Sequence, residues 1–177
     1  MKESREERYK RIHAVRKKAK VVTYSAMYGV GKSKLSRTTG MPEKEAAALI
    51  EAFWEINWAV KEVAAKVEIR KIKGQMWVKN PVSSFWHSLR YERDVWSTLN
   101  QSTGVYCFDT WVAYYLTKRP DLRGQFHDET INAVPKGEEK VHEKVLQWAI
   151  GKVNDKLKLN VDLGVDVQFG ANYSEIH

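Results

Sequence analysis

The chain has 177 residues, 43% of them hydrophobic and 29% charged, and its 30 Lys and Arg against 22 Asp and Glu give a net charge of +8. That length buries a real core in one domain or two small ones, and no apolar run is long enough to span a bilayer as a helix. The single cysteine, Cys107, excludes an internal disulfide and fits a reducing cytoplasmic setting, while the basic balance points to a polyanionic partner, nucleic acid first.

Lys2 to about Tyr28 is rich in helix formers and lacks the apolar block of a secretory signal; Tyr28-Gly29-Val30-Gly31 closes it as a helix stop. After a short connection, Pro42 opens a second helix, with Glu43 and Glu45 where a helix N-terminus favours negative charge. Leu49, Phe53, Ile56 and Val60 recur at helical spacing, and the stretch breaks towards Lys73-Gly74. Gln75 to Lys79, before Asn80-Pro81, reads as a short strand or an extended loop.

A long helical run covers about Tyr91 to Leu116 and ends before Arg119-Pro120. Phe126 to Val134 alternates and predicts a hairpin with His127-Asp128 at or near its tip. Glu138 to Leu157 predicts an amphipathic helix with Val141, Val145, Ala149, Val153 and Leu157 in register, and Val161 to Phe169 alternates as a last strand. The expected class is α+β, a mostly helical first half followed by helices packed on antiparallel strands.

Two stretches carry candidate chemistry. If residues 14 to 28 form one helix, Arg16, Lys20, Tyr24 and Tyr28 lie four apart and stay on one side of it. Two cations followed by two aromatic rings suit a nucleoside triphosphate: charge-assisted hydrogen bonds to phosphates, then a flat surface for sugar and base. Taken alone, a basic solvated helix end with two aromatics packed inward explains the same string. Gly31-Lys32-Ser33 has the end of a phosphate-binding loop, but position 26 is Ala26 where that loop needs glycine, and the preceding segment reads as helix, which excludes an ATPase of that type.

The second stretch is Gln125-Phe126-His127-Asp128-Glu129. A carboxylate at the tip of a rigid hairpin can reach a pair of Mg²⁺ ions such as nucleotidyl transfer uses. His-Asp pairs are also widespread in turns, so the string gains meaning only from its context.

Together, Arg16 to Gly29 and Gln125 to Ile131 resemble two signature motifs of family A, DNA polymerase I-like DNA polymerases, of the phage replicase type. The resemblance implies a fingers-like helical segment over 1–90 and the C-terminal part of a palm over 91–177. It places Arg16 and Lys20 at the triphosphate, Tyr24 against the incoming sugar and base, Tyr28 at the template base and Gly29 at the helix end. A tyrosine at position 24 implies ready acceptance of dideoxynucleotides. Asp128 falls on the metal-ligand position, Glu129 on the adjacent carboxylate and His127 near the primer terminus. Arg93 and Gln101 fall on positions that touch the primer–template backbone and minor groove. The stretch from Phe169 to His177 looks like the end of phage replicases.

The family takes its other metal-binding aspartate from a strand upstream of the fingers, and this sequence does not contain that strand. Asn172-Tyr173-Ser174-Glu175-Ile176 resembles it with Asn in place of the aspartate, which we read as coincidence. The resemblance therefore implies an enzyme active only in a complex: a DNA-directed DNA polymerase using two Mg²⁺ ions, deoxynucleoside triphosphates and a DNA primer–template. An N-terminal polymerase fragment would act as a second chain, in a bacterial host cytoplasm if phage-encoded. The alternative is a non-catalytic nucleic-acid-binding or assembly subunit with the same fold.

Overall fold

Helices Arg5–Met27 (α1), Lys32–Thr39 (α2), Glu43–Ile56 (α3) and Trp58–Lys66 (α4) lead into a sheet of three strands, Ile69–Ile72 (β1), Gln75–Lys79 (β2) and Trp86–Leu89 (β3). A long helix, Val95–Leu116 (α5), precedes the hairpin Leu122–Phe126 (β4) and Glu129–Asn132 (β5), and Glu139–Leu157 (α6) follows. This is a computed structural model that describes residues 4–176, so Lys2 and the C-terminal His177 lie outside the described residues. The class is α+β, with two small antiparallel sheets. The chain divides into two compact units, one reaching to Asn100 and the other starting at Gln101.

In the first unit, α1 begins with a reciprocal cap. The Glu7 amide donates to Ser4 Oγ at 3.2 Å, and the Ser4 amide donates back to Glu7 Oε2 at 2.9 Å, so two otherwise orphaned donors are satisfied. The helix ends where the Val30 amide reaches back to the Ser25 carbonyl (2.9 Å) across Gly29, whose φ of +67° is left-handed. An added Cβ at Gly29 would stand 3.8 Å from the Arg93 carbonyl oxygen, so the segment before α5 abuts the end of α1.

The connection expected between the first two helices contains one of its own, α2. Its single buried residue, Leu35, cannot generate an apolar period, which is why the sequence pattern hides it. The expected stripe Leu49–Phe53–Ile56–Val60 is not the buried face either. The helix breaks at Asn57, whose side-chain amide donates to the Phe53 carbonyl at 2.8 Å, and the buried residue of α3 is Ala46. The core of this unit joins Val78 and Leu89 of the sheet to Val95 and Leu99 of α5. Buried Asn80 locks the β2–β3 loop, accepting from the Val82 and Ser83 amides at 2.8 and 3.1 Å.

The second unit is centred on α5 and α6. Trp111, Val112 and Tyr115 pack against Leu146, Ala149 and Val153, and Trp111 Nε1 donates to the Leu146 carbonyl at 3.2 Å. The buried residues of α6 are His142, Leu146, Ala149 and Val153; of the expected stripe, Ala149 and Val153 are buried, Val145 and Leu157 pack against the core, and Val141 is exposed. Residues 161–169 form no strand, correcting the expected one. Leu163, Val165 and Val167 pack on the core with the predicted alternation, but among the described residues no neighbouring strand offers a ladder.

Candidate functional site

In the first unit the four candidate side chains of the basic helix follow one another along α1 and its cap. Arg16, Lys20, Tyr24 and Tyr28 are all exposed, the two tyrosines at 52% and 42%, so the aromatic pair is not the inward-packed one of the bland reading. A four-residue step rises about 6 Å, which spreads the two cations and two rings over about 18 Å of one side of the helix. Neither Arg16 nor Lys20 has an ion-pair partner among the described residues, so both ammonium and guanidinium groups are available to an anionic ligand.

Gly29 and Arg93 come together at the foot of that helix, through the Arg93 backbone. The Arg93 guanidinium stacks on Tyr91, 4.7 Å from its ring centroid, and remains exposed. Gly31-Lys32-Ser33 opens α2 directly after α1, which agrees with the exclusion of a strand-borne phosphate loop. Gln101 lies on α5 with an exposed side chain, apart in sequence from both motifs.

In the second unit β4 and β5 pair Phe126 with Glu129, Gln125 with Thr130, Gly124 with Ile131 and Leu122 with Asn132. Arg123 is the extra residue of a bulge, which sharpens the local twist. His127 and Asp128 make up the whole turn, as the sequence predicts. Two-residue hairpin loops demand positive φ, and His127 supplies it at +48° without being glycine, a conformation that costs about 1–2 kcal/mol. Both tip side chains are exposed, while Glu129 is half-buried at the start of β5. Gln125 Nε2 donates to Asp109 Oδ1 at 3.4 Å, fastening β4 to α5.

Asp128 is a hard oxygen donor on a rigid two-strand support, suited to Mg²⁺, which keeps several waters and takes one or two protein carboxylates. Among the described residues no group of three or more His, Cys, Asp and Glu side chains is placed to hold a metal. The Asn172-Tyr173-Ser174-Glu175-Ile176 string is a single 3₁₀ turn in which Asn172 Oδ1 accepts from the Ser174 amide at 3.1 Å, and it forms no strand.

Motif reading passed over a second cationic and aromatic surface, the sheet β1–β2–β3. The signal was present: between Ile69 and Tyr91 the sequence has five cations, Arg70, Lys71, Lys73, Lys79 and Arg90, and no carboxylate.

No family model matches the chain, and no curated protein matches it.

Proposed function

We propose that this chain is the fingers-and-palm part of a family A-type DNA-directed DNA polymerase, competent for template-directed nucleotidyl transfer only with an upstream polypeptide. The observation that carries the reading is Asp128, an exposed carboxylate in the two-residue turn of an antiparallel hairpin. The exposed Arg16–Lys20–Tyr24–Tyr28 series on α1 supports it independently.

In this reading Arg16 and Lys20 hold the triphosphate by charge-assisted hydrogen bonds, and Tyr24 packs against the sugar and base. Tyr28 and Gly29 border the template base, and Arg93, Gln101 and His127 contact the primer–template. Asp128, with Glu129 beside it, is this chain's share of the ligands for two Mg²⁺ ions; the partner chain contributes the other aspartate. When bound, such a pair of ions activates the primer hydroxyl and neutralises the leaving pyrophosphate.

The test is primer extension with Mg²⁺, using the chain alone and then mixed with an upstream polymerase fragment. Extension in the mixture only is expected. Asp128→Ala should abolish it while leaving duplex affinity within about twofold, and Lys20→Ala should raise the apparent nucleotide KM about tenfold or more, the loss of one charge-assisted phosphate contact. Duplex binding with no extension in any mixture would favour the non-catalytic nucleic-acid-binding subunit. Extension by the chain alone would refute the shared metal site.

A further inference from the structure

The solvent side of the β1–β2–β3 sheet carries two tryptophans among cations. Register sets Arg70 opposite Trp77, Trp77 opposite Ser88, and Lys79 opposite Trp86. Alternation sends Met76, Val78 and Leu89 into the core and leaves Arg70, Trp77, Lys79, Trp86 and Ser88 on the other face. Arg70, Ile72, Gln75 and Ser88 of that face are exposed, and both indoles are half-buried. The Arg70 guanidinium stands 4.6 Å and the Lys79 ammonium 6.0 Å from the Trp86 ring centroid. Glu68, just before β1, pairs with Arg70 at 2.5 Å.

From this face we propose that the sheet is a binding platform for single-stranded nucleic acid, with Trp77 and Trp86 stacking unpaired bases and Arg70 and Lys79 meeting the backbone phosphates. Charge complementarity selects the occupant: Arg70 and Lys79 lie over the Trp86 indole on this face, and cations set among indoles answer phosphates strung between bases. Trp77 and Trp86 are diagonal neighbours on adjacent strands, about 7–8 Å apart, a spacing across which two successive splayed bases can be laid. A duplex cannot use these rings, because its bases are already stacked on each other. The site needs neither Asp128 nor bound nucleotide, so it stands apart from the polymerase reading.

The experiment is fluorescence anisotropy of a labelled twelve-residue oligodeoxythymidylate with the full chain, in 50 mM salt without Mg²⁺ or nucleotide. Trp77→Ala and Trp86→Ala should each weaken binding by about 5- to 150-fold, the effect of losing one stacked base. Asp128→Ala should bind like the parent, and a blunt duplex should bind every variant within twofold. Trp77→Leu and Trp86→Leu, which keep apolar volume but no ring, should reproduce the loss with circular dichroism melts close to the parent. An oligouridylate arm separates sources: equal binding extends the platform to RNA, and weaker binding confines it to DNA. Oligothymidylate binding unchanged by the leucine variants, or duplex binding falling in parallel, would overturn the proposal.

Discussion

His142 is buried on α6 with its ring 5.6 Å from that of Tyr115, edge to face, and its Nδ1 lies 4.0 Å from Asp121 Oδ2. Burial, aided by the Arg119 charge and opposed by Asp121, holds the imidazole below its ordinary value and so neutral. The same burial and the Asp121 charge push the Tyr115 hydroxyl up to about 12, so it stays protonated. An unfolded chain binds the histidine proton near its ordinary value of about 6.5, where the folded one still refuses it. His142 therefore contributes its full stability above that value, and the contribution is lost as the pH falls through it and on towards the lower folded value. The melting temperature should drop between pH 7.5 and 5.5, and His142→Leu should flatten that drop; an equally steep fall in the variant would assign it elsewhere. This position is also where the helix pattern misleads: a histidine reads as polar, so the stripe takes in exposed Val141 instead of His142, while Val145, Ala149, Val153 and Leu157 do meet the core. Asp128 and Lys20, by contrast, lie on the exposed surface, and their roles rest on the resemblance rather than on packing.

At the level of elements, the pattern was readable wherever a segment carries its own periodicity or punctuation. Helices α1, α3, α5 and α6, strand β2 and the His127-Asp128 turn all have one or both. It failed where the deciding partner is remote. Strand β1 is exposed along its whole length and gains its form only from pairing with β2, as in Arg70 opposite Trp77. Residues 161–169 fail the opposite way: they alternate like a strand and lie on the core like one, yet no strand pairs with them. What secures them is Asn154, whose side-chain amide donates to the Leu163 carbonyl and whose Oδ1 accepts from the Leu163 amide, both at 2.9 Å. Asn154→Ala should cost about 1–3 kcal/mol, two net hydrogen bonds. Amide exchange across 161–169 should accelerate more than in α6 when followed by mass spectrometry. Uniform acceleration of both would mean that the clamp is incidental.

For the whole molecule, charge was legible from composition and its arrangement was not. The net +8 gathers into the basic length of α1 and the carboxylate-free stretch from Ile69 to Tyr91, a grouping that a total conceals. Neutralising even two phosphates releases enough counterion to weaken duplex binding by about tenfold between 50 and 200 mM salt. A titration of duplex affinity against salt should show at least that; a flat response would argue against a duplex held through its phosphates. The division at Asn100 and Gln101 falls inside α5, an unbroken helix of 22 residues that supplies Val95 and Leu99 to one core and Trp111, Val112 and Tyr115 to the other. The boundary therefore lies within a helix rather than in a loop. A cut between residues 100 and 101 would split one helix and leave each new end with backbone donors or acceptors that have lost their partners.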